Sequence, residues 1–288
     1  GTSSAANDKR IANYNGSATD WWLRSPYTRG SDSIWSSRSD GDGINLWYGS
    51  AYGIRPALIL PSTALVDDEL NVLTGATPEP EPQGTALSDL AEGTIIKIKE
   101  NGSPVEFYLA KHNYEEGLNG AGRELFVRKD CYDKRQWDFS NTNSWTSSDI
   151  YSWLNSSYKD MFSDAVKAMI GNTKYYYTPG NGNNILSTRA DSFFLMSYTE
   201  LGYSFVFANV EGNVLPTASI LQVSYFNGAA AEQWTRSPHT NANNAVWVSL
   251  SNGGGSNASA SDVRGSRPCF TLPSTAKVDN DLNLLEVA

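Results

Sequence analysis

Alternating apolar and polar positions predict a β-hairpin near the start of the longer part of the chain. The stretch GTIIKIKENGSPVEFYLAKHNY, residues 93–114, has two such runs on either side of Asn101 and Gly102. An Asn-Gly pair is typical of a two-residue hairpin turn, because both residues tolerate the positive φ that the turn requires. The stretch RELFVRKD, residues 123–130, predicts another short strand.

A change of period to that of a helix follows in WTSSDIYSWLN, residues 145–155. Thr146 and Asp149 have the spacing of a capping box, which marks a helix start. The apolar face of this helix is predicted to contain Ile150, Trp153 and Leu154. A second short helix is predicted over 163–170, with Val166, Met169 and Ile170 turned inward.

The rest of the chain alternates glycine, asparagine and aromatic residues in short apolar runs, which predicts short antiparallel strands joined by long loops. Two helices near the front and strands behind them indicate an α+β fold. The composition agrees, since aromatic residues make up 12% of the chain and glycine occurs 24 times.

A long internal repeat determines the predicted organisation. From Asn15 to Leu73, 27 of 59 residues are identical to the residue 212 positions later. The Pro/Glu-rich stretch TGATPEPEPQG lies between the copies and is typical of a solvated linker. We therefore predict a first unit over 1–75, a linker over 76–84 and a complete unit over 85–288. The first unit has only the C-terminal half of the plan; either its front half was cut away, or another segment or chain completes it.

Within the repeat, identical and different residues alternate. The identical ones are Trp35, Ser37, Ser39, Gly41, Gly43 and Asn45, which equal Trp247, Ser249, Ser251, Gly253, Gly255 and Asn257. Because successive side chains of a strand point to opposite faces, this period predicts a hairpin with one constant and one changeable face. The ends of the repeat then form a framework that holds a variable surface.

The charge and the cysteine count exclude several classes of protein. The net charge is -9 with no basic run, which argues against nucleic-acid binding. No apolar stretch is long enough to span a membrane. Cys131 and Cys269 are too few for a disulfide framework, and two separate buried thiols are favoured over a single disulfide.

The motifs WWLRSP, GIRPALIL and WTSSDIYSWLN carry a resemblance. They are similar to a bacterial family of domains of unknown function, which resembles the C-type-lectin-like fold of formylglycine-generating enzymes and of the variable proteins of diversity-generating retroelements. The resemblance implies a C-type-lectin-like fold and, by analogy with the variable proteins, ligand-contacting residues ahead of the last core strand. It further implies a location outside the cell, on the cell surface or on a phage particle. The runs HTNANN and SNASASD have the composition that such variable stretches favour.

The changeable positions are the predicted ligand-binding residues, because they mix aromatic anchors with short polar groups. In the first unit these are Tyr27, Arg29, Asp32, Arg38, Asp40, Asp42, Trp47, Tyr48, Ser50 and Tyr52. In the second unit they are His239, Asn241, Asn243, Asn244, Asn252, Ser259, Ser261, Asp262 and Arg264. The alternative is that both sets are merely exposed loops under little constraint.

Other candidate residues favour structural roles. Tryptophan fills cores and arginine can bind loop carbonyls, so a structural role is predicted for Trp22, Arg24, Trp35 and Arg55 and for Trp234, Arg236, Trp247 and Arg267. The run DGDGIN at 40–45 weakly resembles a calcium loop, but its partner NGGGSN has no carboxylate, so a tight turn is favoured. No metal or other cofactor is expected.

The sequence favours a non-enzymatic module that displays a variable surface to a protein or glycan ligand on another cell or surface. Two alternatives remain. The first is a structural tandem-repeat domain of a bacterial surface or secreted protein. The second is a divergent enzyme of the formylglycine-generating type, which would need a reactive cysteine pair. The apolar surroundings of Cys269 in CFTL argue against that pair.

Overall fold

The computed structural model describes residues 11–29, 31–47, 49–55 and 84–286. The chain divides into two compact units, Gly1–Glu79 and Pro80–Ala288. The described part of the first unit contains five strands: β1 (Ala12–Tyr14), β2 (Ser17–Thr19), β3 (Trp21–Pro26), β4 (Ser33–Ser37) and β5 (Gly43–Trp47). The predicted linker lies almost wholly outside the described residues.

The described strands of the second unit are β6 (Thr85–Ala86), β7 (Ile95–Glu100), β8 (Ser103–Lys111), β9 (Arg123–Arg128), β10 (Asp133–Gln136), β11 (Thr173–Tyr177), β12 (Ser187–Asp191), β13 (Ser224–Phe226), β14 (Ala229–Ala231), β15 (Gln233–Pro238), β16 (Ala245–Ser249), β17 (Gly255–Ser259), β18 (Val263–Ser266), β19 (Cys269–Pro273) and β20 (Lys277–Val278). Its helices are α1 (Glu116–Asn119), α2 (Asp149–Trp153), α3 (Asp164–Ile170) and α4 (Ala218–Leu221).

Two sheets organise the second unit. One has the strand order β10-β18-β15-β16-β17 and the other has the order β19-β9-β8-β7. Within these two sheets the strands pair antiparallel except β15 with β18, where Gln233 lies opposite Gly265 in a parallel pair. A dense aromatic core includes Phe107, Tyr158, Phe193 and Phe270. Mostly β structure with four short helices confirms the predicted α+β class, although the structure adds two one-turn helices to the two that were predicted.

The predicted hairpin is present as β7 and β8, joined by Asn101 at φ 51° and Gly102 at φ 76°. These positive angles explain why the turn uses Asn-Gly. The strand predicted over residues 123–130 is β9, which lies between β8 and β19.

Both predicted helices are present, but the capping prediction for the first was wrong. The N-cap of α2 is Ser148, which accepts a hydrogen bond from the Tyr151 N–H, while Thr146 belongs to a preceding 3₁₀ turn. That turn brings the Trp145 carbonyl close enough to accept a hydrogen bond from the Ser148 hydroxyl at 2.8 Å. The helix α3 begins after its N-cap Ser163, as predicted.

Strand pairing in the first unit has the same register as in the second. In β3 and β4 the pairs are Trp21 with Ser37 and Trp22 with Ser36. Adding 212 to each number gives the pairs of β15 and β16, including the irregularity that follows Trp22 and Trp234. The hairpin β1–β2 corresponds in the same way to β13–β14, and the bridge Trp21–Gly53 corresponds to the parallel pair of β15 with β18.

The predicted exposure of the changeable hairpin face was wrong in the second unit. The residues that differ between the copies include Val246, Val248 and Ala258, and all three are buried. Asn257, which is constant, is exposed. The alternation identified the two faces of the hairpin, but the apolar valines place the changeable face toward the core.

The framework residues are buried in one unit only. Trp234, Arg236, Trp247 and Arg267 are all buried, as predicted. Their counterparts in the first unit are half-buried or exposed. Trp247, for example, exposes 2% of its surface and Trp35 exposes 37%. The same local structure therefore has a closed core in the second unit and an open one among the described residues of the first.

Candidate functional site

The loop between β15 and β16 carries four predicted binding residues, and one buried amide fixes its backbone. The Nδ2 group of Asn143 donates to the carbonyl oxygens of His239, Ala242 and Ala245 at 3.1, 2.9 and 2.9 Å. The Asn143 backbone N–H donates to the Asn243 carbonyl at 2.8 Å. Since a buried side chain satisfies several carbonyls of the loop, the loop has a defined conformation.

A second asparagine fixes the chain that follows β17. Asn141, at φ 55°, accepts hydrogen bonds from the Ser259 hydroxyl at 2.7 Å and from the Ser261 backbone N–H at 3.2 Å. The two serines also lie 3.1 Å apart through their hydroxyls. Ser259 and Ser261 thus use much of their hydrogen-bonding capacity within the scaffold.

Further side-chain amides connect the neighbouring loops. Asn184 Nδ2 donates to the Thr240 carbonyl at 2.7 Å, and Asn209 Nδ2 donates to the Asn184 carbonyl at 2.7 Å. The Thr240 backbone N–H donates to the Phe207 carbonyl at 2.9 Å. Residues 139–143, 181–186, 205–209, 239–244 and 259–261 therefore form one connected surface, which we call the loop platform.

An aromatic stack supports one side of the loop platform. The His239 ring lies against Trp247 with centroids 5.0 Å apart and planes 21° apart, and against Phe207 with centroids 5.2 Å apart. Trp247 Nε1 donates to the Phe207 carbonyl at 3.1 Å. Partial burial lowers the pKa of His239, which favours the neutral imidazole, and its ring stacks as an aromatic surface.

The outward groups of the loop platform are amides and apolar side chains. Asn241, Asn243 and Asn244 are exposed on the loop before β16. The exposed apolar residues on the same platform are Phe139, Ile185, Leu186, Phe205 and Val206. Val206 exposes 79% of its surface. Such a mixture can hydrogen-bond a polar ligand and cover an apolar one at the same time.

Two predicted residues of the second unit, Asn252 and Arg264, lie elsewhere. Asn252 is in the turn between β16 and β17, at the opposite end of that hairpin from residues 239–244, and accepts a hydrogen bond from the Gly254 N–H at 3.0 Å. Arg264 forms salt bridges with Glu232 and Asp262. The structure therefore brings His239, Asn241, Asn243, Asn244, Ser259 and Ser261 together and separates Asn252 and Arg264 from that platform. Asp262 borders the platform, because its backbone N–H donates to the Ser259 carbonyl at 2.8 Å.

In the first unit the aromatic candidates pack in pairs. Tyr27 lies edge-on to Trp35 at 5.4 Å, which is the position of the His239–Trp247 pair, and Tyr52 lies edge-on to Trp22 at 5.0 Å. Trp47 exposes 57% of its surface and covers Gly49. The exposed charged candidates are Arg29, Asp32, Arg38, Asp40 and Asp42, Ser50 is half-buried, and Tyr48 lies outside the described residues.

The run DGDGIN forms a tight turn, as predicted. The Arg38 N–H donates to the Asp42 carbonyl at 2.8 Å, and Gly41 has φ 86°. The Asp40 carboxylate accepts a hydrogen bond from the Asp42 N–H at 3.0 Å. No group of three or more metal-ligating side chains occurs in the described part of the chain.

A buried ionic network lies behind the loop platform, and no sequence pattern marks its acidic members. Arg236 donates to both oxygens of Glu200, and Glu211 accepts hydrogen bonds from the Thr178 N–H and the Ser237 hydroxyl. Burial raises the pKa of Glu211. Burial alone would lower the pKa of Arg236, but the charge of Glu200 raises it well above its ordinary value. Only the structure could pair these residues, because they are far apart in sequence and follow no motif.

Both cysteine thiols are buried, and His112 makes contacts within the scaffold. Cys131 and Cys269 are free and buried, which confirms the prediction of two separate thiols. Burial raises the pKa of both. His112 contacts the Glu124 carboxylate and the Leu90 carbonyl.

In the described residues no helix is long and apolar enough to cross a membrane.

Comparison with known proteins gives one match. No curated protein and no solved structure matches the chain. A family model, Domain of unknown function (DUF6273), matches residues 2–62 and 121–274, more than half of the 288 residues. The two matched stretches end at corresponding positions of the repeat, since 62 and 274 are 212 apart. The chain is therefore a member of the DUF6273 family of domains of unknown function.

Proposed function

We propose that this protein is a non-enzymatic binding module, in which a C-type-lectin-like scaffold presents a variable surface to a protein or glycan ligand on another cell or surface. The observation that carries the proposal is the loop platform. Its backbone is fixed from within by Asn141 and Asn143, while Asn241, Asn243 and Asn244 point their amides outward. A fixed loop loses little conformational entropy when it binds, which favours recognition.

The strand pairing of the two units supports the interpretation that the scaffold is a tandem repeat. They share strand register at an offset of 212, yet their binding candidates differ in chemistry. The first unit presents tryptophan, tyrosine and charged groups, and the second presents asparagine and serine. A constant frame with different exposed groups is what a family of display domains, such as the variable proteins of retroelements, requires. We accordingly propose a location on the outside of a bacterial cell or on a phage particle.

The buried thiols argue against the enzyme alternative. A formylglycine-generating reaction needs an accessible cysteine thiolate, and burial raises the pKa of both cysteines. The structural-repeat alternative makes a different prediction, namely that no ligand is bound at the loop platform.

Binding to a glycan array and to a panel of cell-surface proteins tests the proposal. The full chain should bind at least one ligand in these panels, and the triple variant N241A/N243A/N244A should lose that binding. N252A is the matched control, because Asn252 is an exposed asparagine at the other end of the hairpin. If neither panel contains a ligand, or if the triple variant binds it as well as the unmodified chain does, the repeat is a structural one.

The first unit can be tested in the same assay. Replacing Trp47, Tyr48 and Tyr52 with alanine removes three of its four aromatic candidates and leaves Tyr27. A ligand that is lost with this variant but kept by N241A/N243A/N244A is bound by the first unit. A ligand that survives both changes contradicts the assignment of the binding residues.

A further inference from the structure

The first unit has a groove at the position that strand β10 fills in the second unit. It has a volume of about 710 Å³ and is lined by the hairpin β1–β2 and by residues 51–55. Its floor includes Ala12, Asn13, Trp21, Gly53 and Ile54. Of the described residues, only Trp21 forms a β-bridge with this last segment, at Gly53, and no described strand pairs with its other edge.

The corresponding region of the second unit is filled by the chain itself. There β10 pairs antiparallel with β18, placing Asp133 opposite Ser266 and Lys134 opposite Gly265. The residues of β18 that receive it correspond to residues 51–54 of the first unit. The connection before β10 also contacts the hairpin β13–β14, since the Cys131 N–H donates to the Tyr225 carbonyl at 2.8 Å. Tyr225 corresponds to Asn13 on the groove floor.

A glycine at the same place in both units shows what the groove lacks. A Cβ atom added to Gly265 would lie 2.3 Å from the Cys131 Sγ, so the glycine exists to admit that side chain. A Cβ atom added to Gly53 would have Asp20 O, at 3.2 Å, as its nearest neighbour, followed by atoms of Thr19 and Trp21. All three residues belong to β2, to β3 or to the connection between these strands. Among the described residues, none takes the place beside Gly53 that Cys131 takes beside Gly265.

Side chains around the groove are exposed where their counterparts are covered. Trp234 is buried and its Nε1 donates to the Arg135 carbonyl of β10 at 2.9 Å. Trp22 is half-buried, and its indole N–H has no hydrogen-bond acceptor in the part of the chain that the structure describes. Ile54 exposes 84% of its surface, whereas Ser266 is fully buried under β10. These differences are those that removal of one strand would produce.

We propose that this groove binds an extended polypeptide strand of the kind formed by residues 131–136, which pairs antiparallel with residues 51–54. The occupant places a small side chain over Gly53 and offers a backbone carbonyl to Trp22. Such strand addition gains affinity from main-chain hydrogen bonds and specificity from alternate side chains. The site is separate from the loop platform, so a failure of one proposal does not affect the other.

The register predicts how a charge at position 54 would affect binding of the strand. By correspondence with Asp133 and Ser266, the third residue of the occupant lies opposite Ile54. An apolar residue there would pack on Ile54 better than aspartate does. A carboxylate introduced at position 54 would repel an aspartate at that place, and would attract a lysine.

A synthetic peptide with the sequence of residues 129–137, KDCYDKRQW, is the probe. The full chain, kept reduced, should bind the labelled peptide in a fluorescence-anisotropy titration. The Gly53 N–H already donates to the Asp20 carbonyl at 2.9 Å, so the informative amides are those of Tyr52 and Ile54, which point to the other edge. Their hydrogen exchange should be fast in the protein alone and slow with the peptide bound. Slow exchange in the protein alone would show that the groove is already filled, and that result overturns the proposal. Absence of peptide binding, or protection at 263–266 instead, overturns it as well.

A charge exchange then tests the register. I54D should weaken the binding of KDCYDKRQW about three- to fivefold, in keeping with a cross-strand pair worth up to about 1 kcal/mol. The peptide KDCYKKRQW should bind I54D more tightly than KDCYDKRQW does. G53V should reduce binding of either peptide strongly, and G43A, at a glycine with open space around it, is the control. Hydrogen exchange of β4 and β5 verifies that each variant keeps its fold. If the two peptides respond to I54D equally, the proposed register is wrong.

Discussion

The guanidinium of Arg236 forms a bidentate pair with the carboxylate of Glu200. Its two terminal nitrogens donate to the two carboxylate oxygens at 2.7 and 2.9 Å. Both side chains are fully buried. Tyr114 donates a further hydrogen bond to Glu200 at 2.5 Å. Since the arginine lies on β15, shortly before the loop of the platform, the pair connects the loop platform to Glu200 and Tyr114 in the core of the second unit.

The stability of the second unit should depend on this pair. R236M leaves the Glu200 carboxylate buried without its cation, which costs about 3–5 kcal/mol in the free energy of unfolding. Arg24 is the counterpart in the first unit; it is exposed and forms no hydrogen bond or salt bridge with any described residue. R24M should therefore change stability by no more than about 0.5 kcal/mol. Urea unfolding followed by circular dichroism measures both, and an equal loss in the two variants contradicts the assignment.

The loop platform should lose order without Asn143. N143A removes the amide that serves three loop carbonyls, and the expected cost is about 2 kcal/mol in the free energy of unfolding. Hydrogen exchange of amides 239–245 should accelerate, while exchange in β7 and β8 stays unchanged. N252A, which alters an exposed asparagine in a turn, is the control. A variant N143A with the exchange pattern of the unmodified chain would show that other contacts fix the loop.

A buried carboxyl group should make stability fall as the pH rises. Burial, reinforced by the nearby charge of Glu200, raises the pKa of Glu115. Its Oε1 atom is buried and has no hydrogen-bond partner within the described structure. Above pH 4.5 the unfolded chain loses this proton before the folded chain does, so the folded state holds more protons and its stability declines with pH across that window.

The variant E115Q isolates this effect. Its amide does not ionise, so stability should decline less between pH 4.5 and pH 8 than in the unmodified chain. E116Q alters the exposed neighbouring carboxyl and should keep the original slope. Urea midpoints measured at several pH values compare the slopes. Parallel curves for E115Q and the unmodified chain would rule out Glu115 as the titrating group.

Local features of the fold could be predicted because their causes are local. The turn at Asn101–Gly102 and the helix that follows Ser163 rest on residues adjacent in sequence. The arginines Arg236 and Arg267 were assigned to the scaffold from their residue type, and both bind backbone carbonyls in the second unit. The alternation in the repeat identified the hairpin, but not which of its faces meets the core.

Features that depend on distant residues could not be predicted. Asn141 and Asn143, which fix the loop platform, are about 100 positions before the residues they hold. Glu200 has no pattern that marks it as the partner of Arg236. The prediction grouped Asn252 with Asn241 because both are polar and variable, whereas strand pairing places them at opposite ends of one hairpin.

The thiols provide a test that separates a binding module from an enzyme. Cys131 and Cys269 are buried, and burial raises the pKa of both, so the reactive thiolate is scarce in the folded protein. A disulfide reagent such as Ellman's should react with them on the order of a hundredfold more slowly than with a cysteine introduced at the exposed position Ser251 by S251C. Denaturant should release two equivalents per unmodified chain. A native thiol that reacts as fast as S251C would revive the formylglycine-generating alternative, and C131S and C269S would then identify which residue is responsible.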